Sequence, residues 1–315
     1  GTLEDLARKH RDFLGRISKE GFRPVPPLRC FEVVGYRRAS DPPPRPCVVF
    51  KLLDEDDDTV SYPHAKLIHV AGMVRHLAIK LMAGDPPRDL RGRSVEEWVE
   101  QYVAGHAAAT KDAAAPHGQF SYVPLPSIGM AHTDPAIRRV MIVAPYGDEA
   151  WLQHLARRLD GRLLEPEKDV KLPPGARLVR IPENRRDGVR TCYTQASRVW
   201  SSFTPIILPG HDDRKPAKTC KLIEKALAQS GVDNPCEFTW SPFSRFPKAY
   251  SAHKYVRTEK KEGEKKAPAG YIRPNHLLNQ TAVHLTLRFE SEVPGPLLIG
   301  AGRHCGFGLM AADSE

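Results

Sequence analysis

The C-terminal part of the chain, residues 283–310, constrains the fold more than any other stretch. Residues 283–290 alternate apolar and polar side chains, which is the pattern of a half-buried strand. Glycines and basic residues then cluster in one short segment: Gly300, Gly302, Arg303, His304, Gly306 and Gly308. Glycine permits positive φ angles and lets a polyanion approach the backbone, so such a loop is suited to binding phosphates on its N–H groups. The alternative is a glycine-rich hairpin that only closes a sheet, because a glycine cluster alone is a weak motif.

The charge balance of the 315-residue chain favours an acidic partner. The formal net charge is +9 and the sequence pI is about 9.3, which favours nucleic acid ahead of an anionic membrane. A basic surface without a specific partner is the alternative. No apolar run approaches the roughly 20 residues that span a bilayer, and no secretory signal pattern is present. We therefore expect no membrane association and a cytoplasmic location.

The cysteines and acidic residues predict neither a metal centre nor another cofactor. The six cysteines are scattered and form no C-x-x-C pair, which argues against a zinc site and a disulfide framework. We interpret them as free thiols in a reducing compartment. The acidic run Asp54–Asp58 is typical of a solvated loop, and no carboxylate cluster has metal-ligand spacing.

The order of predicted elements gives the fold class. The first half predicts strand, helix, strand, strand and helix at 47–53, 64–81, 120–125, 139–144 and 148–159. The second half repeats this order loosely, with elements at 203–208, 217–229, 236–240 and 283–289. Together they predict an α+β fold of two tandem ferredoxin-like (RRM-like) domains with a C-terminal glycine-rich loop. Sheets of this type commonly bind RNA.

Three segments follow from this order. Residues 1–45 are predicted to hold an amphipathic helix at 3–20 and a proline-rich linker, with a possible short strand at 31–36. Residues 46–195 form the first predicted ferredoxin-like domain, and residues 196–315 form the second with the glycine-rich loop.

The segment Gly300–Gly308 resembles the glycine-rich loop that ends the repeat-associated RNA-binding proteins (the RAMP superfamily) of CRISPR systems. The segments 294–300 and 204–209, and the predicted hairpin of 120–125 with 140–145, resemble the fused backbone-and-processing subunit of type I-U (I-G) effectors. The resemblance covers roughly residues 30–315. It implies that the N-terminal helix is the tail of a preceding backbone domain.

The resemblance implies an RNA endonuclease that cuts the repeat in the CRISPR precursor transcript. The cut would need no metal, because the ribose 2′-OH attacks the neighbouring phosphate and leaves a 2′,3′-cyclic phosphate. The protein would then stay on the 3′ hairpin of the guide RNA, with other subunits of an antiviral effector complex as partners. Two alternatives stay open: a non-catalytic RNA-handle binder of that complex, and a scaffold subunit.

Three histidines are predicted as catalytic candidates. The reaction needs a proton acceptor near the 2′-OH, a donor near the leaving 5′-oxygen, and cations around the phosphorane, and histidine titrates near neutrality. His64 heads the first predicted helix, where the resemblance places a catalytic histidine. His117 precedes an aromatic strand, and His132 lies between two strands. The sequence does not choose among them, and each is equally consistent with an ordinary surface residue.

A basic and aromatic stretch, residues 241–274, adds a second predicted RNA-binding segment. Cations would bind the RNA backbone and aromatic rings would stack on unpaired bases. The predicted contacts in this stretch are Arg245, Lys248, Lys254 and Arg257. Arg303 is the leading single phosphate contact. A charged, solvated loop is the alternative.

Overall fold

The computed structural model describes residues 4, 7–12, 43–106, 118–129, 134–165, 175–233, 236–257 and 270–313. The chain divides into two compact units, Gly1–Arg38 and Ala39–Glu315. In the first unit, residue 4 and residues 7–12 are helical, as the sequence predicts. The strand predicted at 31–36 lies outside the described residues.

The first half of the second unit forms a five-stranded antiparallel sheet. Its strands are β1 (Cys47–Leu53), β2 (Ser121–Pro126), β3 (Ile137–Val143), β4 (Leu163–Leu164) and β5 (Ala176–Arg180). Its helices are α1 (Leu67–Gly84, after a 3-10 turn at His64–Lys66), α2 (Val95–Trp98, continued by a π-helical turn at Val99–Val103) and α3 (Glu149–Leu159). A capping box starts α2, since Ser94 and Glu97 each accept a backbone N–H of the other.

The strand order of this sheet is β2-β3-β1-β5-β4. With α1 between β1 and β2, and α3 between β3 and β5, the chain follows the ferredoxin-like order βαββαβ. Helix α1 buries Val70, Val74 and Ala78 against the sheet. The stretch His64–Gly84 is long and apolar enough to cross a bilayer, but this packing identifies it as a core helix.

The second half repeats the same order. It contains α4 (Gly188–Thr194), β6 (Ala196–Ser202), β7 (Ile206–Ile207), α5 (Pro216–Gln229), β8 (Cys236–Ser241), β9 (Tyr255–Arg257), β10 (Tyr271–Arg273), β11 (Ala282–Pro294) and β12 (Met310–Ala312). The main sheet has the order β12-β6-β11-β7, with β8 also paired to β11, and β9 and β10 form a separate parallel pair. The strands β12, β6, β11 and β8 thus correspond to β5, β1, β3 and β2 of the first half.

The glycine-rich loop replaces a helix in this second half. A ferredoxin-like unit has a second helix between its third and fourth strands. Between β11 and β12, residues 295–309 are all described, and they hold only a 3-10 turn at Arg303–Cys305. The loop therefore occupies the position of α3 in the first half.

The structure confirms the predicted α+β class. The strand predicted at 203–208 is found only in part, as β7 (Ile206–Ile207), because the main strand is β6 and the chain turns after Ser202. Thr204 holds this turn: its Oγ1 donates to Gly306 O at 2.9 Å and accepts the N–H of Leu309 at 2.9 Å. Strand β5 and helix α4 lie between the predicted elements, where the sequence analysis placed none. The boundaries at 46 and 195 stay a prediction.

Candidate RNA-binding and catalytic site

The glycine-rich loop packs against strand β2 and the N-terminal end of α1. Gly306 has φ +92, and a Cβ there would lie 3.0 Å from Pro124 Cδ and 3.1 Å from Leu67 Cδ1. Gly308 has φ +64, and a Cβ there would lie 1.7 Å from Ile299 O. Gly300 and Gly302 are buried as well. Close packing and left-handed backbone therefore explain these glycines without a ligand.

Most N–H groups of this loop are already bonded inside the protein. The N–H groups of Ala301 and Gly308 donate to Ile207 O and Pro205 O, at 2.8 and 2.9 Å. Those of Arg303, Cys305 and Phe307 donate to carbonyls of the loop itself. Phosphate binding by the loop stays a prediction, with few free N–H groups to carry it.

Arg303 is buried, with 3% of its surface exposed. Its Nη1 donates to Gly300 O at 2.9 Å, while its Nη2 is buried without a hydrogen-bond partner. Burial, together with the charge of Arg45, lowers the pKa of Arg303 to about 10, so the group stays cationic at neutral pH. Its neighbour His304 is half-buried, and its Nδ1 lies 2.9 Å from Ser121 Oγ on β2.

His64 opens the 3-10 turn before α1 and lies within an aromatic cluster. Its ring stacks on Tyr250 at a centroid distance of 4.8 Å, and meets Tyr271 and Phe203 edge-on at 5.6 and 5.9 Å. Its Nε2 is buried and has no hydrogen-bond partner. Burial lowers the pKa of His64 to about 4, partly offset by the carboxylate of Asp134, so the imidazole is neutral at pH 7.

The fold brings His64 close to the glycine-rich loop and to two charged groups. Tyr271, which contacts His64, also lies 6.1 Å from the ring of Phe307 in the loop. The pKa of Asp134 is lowered chiefly by its hydrogen bond with Arg138 and, in addition, by the nearby ammonium of Lys248. His64 and Lys248 thus each interact electrostatically with Asp134, although the three residues lie far apart in the sequence.

The basic and aromatic segment contributes exposed rings and cations. Trp240 and Phe243 are 39% and 68% exposed. Arg245 places its Nε 3.2 Å from Asp313 Oδ2. Lys248 and Lys254 are exposed, and Lys248 has φ +66, which is uncommon for a residue with a side chain.

The buried side chain of His284 on β11 fastens this segment to the sheet. Its ring nitrogens lie 3.0 Å from Tyr250 O and 3.0 Å from Ser202 Oγ. Burial lowers the pKa of His284, so the ring is a neutral structural link. The sequence analysis did not single out Tyr271, Phe203 or His284. Their aromatic and histidine side chains are visible in the sequence, but only the fold shows that they surround His64 or fix Tyr250.

Three predicted site residues are not placed by the structure. His117 and His132 lie outside the described residues. Arg257 is described only for its backbone, which pairs with Arg273 between β9 and β10. Within the described part of the chain, no three His, Cys, Asp or Glu side chains lie close enough together to hold a metal ion.

Two antiparallel sheets with ferredoxin-like strand order, the second completed by a buried glycine-rich loop, define an α+β protein of the ferredoxin-like class. The chain matches the CRISPR-associated protein GSU0054 family over residues 1–312, and it belongs to this family. The resemblance to CRISPR proteins predicted from the sequence is thereby confirmed at the level of the family.

Solved structures with a similar course of the chain are CRISPR proteins as well. A Cas6-related protein from Pyrococcus furiosus is 9% identical with a TM-score of 0.39, over 86% of this chain and 100% of that chain. A Cas6 product complex is 15% identical with a TM-score of 0.37, over 84% and 98%. Csf5, a type IV Cas6 crRNA endonuclease, is 11% identical with a TM-score of 0.33, over 85% and 99%. No curated protein matches the chain. All three TM-scores are below 0.5, so the family assignment rests on the family match alone.

Proposed function

We propose that the protein binds the repeat of a CRISPR precursor RNA and cleaves it without a metal ion. The observation that carries this proposal is the neutral, unpartnered Nε2 of His64, next to the glycine-rich loop and within electrostatic range of Asp134, with which Lys248 also interacts. Membership of a CRISPR-associated family and the net charge of +9 support RNA as the substrate.

In the proposed reaction, His64 acts as the general base. Its Nε2 accepts the proton of the 2′-OH while the 2′-oxygen bonds to phosphorus and the bond to the 5′-oxygen breaks. The leaving 5′-oxygen takes a proton from solvent water, and the products are a 2′,3′-cyclic phosphate and a 5′-OH. Lys248 stabilises the charge of the phosphorane. Because Nε2 is buried beside Tyr250, this role requires the Tyr250 ring to move when RNA binds.

The test uses the full chain with its own repeat RNA in excess EDTA. We expect cleavage to a cyclic phosphate, and a loss of about 10²- to 10⁴-fold in rate for His64→Ala. His76→Ala is the matched control, because His76 is an exposed histidine on helix α1, which follows the turn of His64. Full activity of His64→Ala would contradict the assignment. His117→Ala and His132→Ala then decide which of the other two predicted histidines acts.

The second candidate function is that of a non-catalytic RNA-handle binder. The burial of His64 Nε2 favours it, because a proton acceptor that the substrate cannot reach does not catalyse. In the same assay this candidate predicts tight repeat binding with no cyclic phosphate product, whatever the residue at position 64. A scaffold subunit would bind little RNA at any salt concentration.

The proposed RNA surface combines Arg245, Lys248, Lys254 and Arg257 with residues of the glycine-rich loop. The exposed rings of Trp240 and Phe243 lie in the same segment and could accept unpaired bases. As part of this proposal, the protein remains on the 3′ hairpin of the guide RNA, inside a cytoplasmic effector complex with other subunits.

A further inference from the structure

A mostly apolar cleft of about 370 Å³, which contains two arginines, is lined by residues that do not include His64 or Tyr250. The C-terminal end of α5 contributes Ser230, and the segment after β11 contributes Leu297. Tyr146 follows β3 and is 57% exposed. Arg45, just before β1, and Arg303 of the glycine-rich loop supply two positive charges. The volume is large enough for a small organic anion.

The two arginines of this cleft have no acidic partner. Neither Arg45 nor Arg303 is in an ion pair among the described residues, and none of the described residues that line the cleft is Asp or Glu. Arg45 donates its Nε to Ala144 O at 3.3 Å. Arg303 keeps its buried Nη2 without an acceptor. A buried guanidinium without a counterion is unfavourable, and two that repel each other are more so.

The carbonyls at the nearby helix end do not serve as the missing acceptors. The N–H groups of Ser230 and Val232 donate to Leu227 O at 2.9 and 3.1 Å, and that of Gly231 donates to Ala228 O at 3.1 Å. The hydroxyl of Ser230 donates to Ala226 O at 2.7 Å. These three carbonyls of α5 are thus bonded within the helix end, and the buried Nη2 of Arg303 keeps no acceptor among the described residues.

We propose that this cleft binds the phosphate of a nucleotide between Arg45 and Arg303, with the base against Tyr146. Guanidinium groups recognise phosphate by paired, charge-assisted hydrogen bonds, and Nη2 of Arg303 is an unpaired donor. Because this Nη2 is buried, the binding requires the side chains over Arg303 to move when the phosphate enters. An aromatic ring at the rim suits a base, because every base has a flat face that stacks. The nucleotide is either free in solution or the phosphate-bearing end of an RNA strand.

The test measures binding to the full chain by calorimetry and by the shift in melting temperature, at constant ionic strength. The probes are adenosine 5′-monophosphate, and a short RNA ending in a 3′-phosphate compared with the same RNA ending in a 3′-OH. Binding of the mononucleotide identifies a free nucleotide as a ligand. A preference of the RNA for its phosphate end identifies the RNA terminus. Each of these two results supports the proposal. If neither phosphate-bearing probe binds, the proposal is overturned.

The variants locate the site. We expect Arg45→Met and Arg303→Met to weaken binding by about 10- to 100-fold, which is the effect of losing charged hydrogen bonds. Arg157→Met, which replaces an exposed arginine on α3, is the matched control and should bind normally.

Without ligand, we also expect Arg303→Met to have a melting temperature no lower than that of wild type, because the substitution removes a buried charge that has no counterion. If Arg303→Met does not fold, half-buried Arg45 decides the matter: wild-type affinity in Arg45→Met overturns the proposal. His64→Ala should leave this binding unchanged, which separates the cleft from the proposed cleavage site.

Discussion

At the scale of single residues, His64 shows how surroundings set the chemistry of a side chain. A histidine in water is about half charged near pH 6.5. Tyr250, Tyr271 and Phe203 remove His64 from water and keep it neutral down to about pH 4. A neutral imidazole can accept a proton. A charged one would be the wrong form for the base of the proposed reaction.

The burial of His64 predicts a loss of stability in acid. Between about pH 6.5 and the pKa of about 4, the unfolded chain binds a proton at His64 that the folded chain does not. Stability therefore falls as the pH is lowered through this window. We expect His64 to contribute about 2 to 3 kcal/mol to the difference in the free energy of unfolding between pH 7 and about pH 4.5. Urea unfolding of wild type and His64→Phe at both pH values measures it.

His284 serves as the internal reference for this experiment. Burial lowers its pKa in the same direction, and it is retained in both proteins, so its contribution cancels in the difference. If the free energy of unfolding falls equally in acid for wild type and His64→Phe, then His64 is not the buried neutral group described here.

The sequence identified His64 by its position after the first strand, but not by its surroundings. Its stacking partner Tyr250 and its neighbour Tyr271 lie 186 and 207 residues further along the chain. Helical and strand periodicity describe only local neighbours, so no pattern near His64 predicts its low pKa. Arg303 is the reverse case, since a basic residue between glycines is typical of an exposed contact, yet the fold buries it.

At the scale of elements, the glycine-rich loop takes the position of a helix and fills it by close backbone contact. Its glycines let the chain pass directly over Ile299 O, Pro124 and Leu67. The loop thereby links the two sheets, because β2 and α1 belong to the first half of the fold. The element predicted from the sequence as a ligand loop is thus also part of the core.

This packing predicts that replacing glycine by alanine costs very different amounts of folding stability at two positions with similar backbone conformation. Gly308 has φ +64 and meets Ile299 O, whereas Gly161 has φ +77 and nothing within 4 Å of an added Cβ. We expect Gly161→Ala to cost about 1 to 2 kcal/mol, the strain of a left-handed alanine. Gly308→Ala should cost more than about 4 kcal/mol, because the backbone itself must move. Chemical denaturation of both variants measures the difference, and equal losses would contradict the close packing.

Element prediction succeeded where the apolar pattern was long and failed where it was short. Helices α1, α3 and α5 carry clear apolar stripes, and their predicted ranges agree with the structure to within a few residues. Strand β5 has only five residues, two of them arginines, so alternation is too brief to see. The strand predicted at 203–208 was too long because these residues are buried for tertiary reasons, at a turn fixed by Thr204, and only Ile206–Ile207 pair as a strand.

At the scale of the whole molecule, the α+β class was predictable, while the placement of the charges was not. The order of elements follows from the sequence, and the antiparallel 4-1-3-2 arrangement is a common solution for it. The net charge of +9 says only that an anion is favoured. The structure places part of the positive charge on exposed cations in the segment of Trp240 and Phe243, and part on two arginines within a cleft.

The exposed cations predict a salt dependence that reports on the RNA surface. Each phosphate contact contributes roughly 0.7 to 0.9 to the slope of log affinity against log salt concentration. Replacing Arg245, Lys248 and Lys254 together by alanine should lower this slope by roughly 2 to 3 and weaken binding of repeat and unrelated RNA alike. Filter binding over a series of salt concentrations measures it.

A control of equal charge loss makes this prediction specific. Lys80, Arg157 and Arg162 are exposed cations on α1, on α3 and just after α3, outside the proposed RNA surface. Their triple alanine variant has the same net charge as the first variant, so a purely long-range effect of charge would lower the slope equally in both. We expect the control to keep a slope within roughly one unit of wild type, because counterions are released only where a cation meets a phosphate. An equal loss in both variants would mean that RNA follows the charge of the whole molecule and not the segment from Trp240 to Lys254.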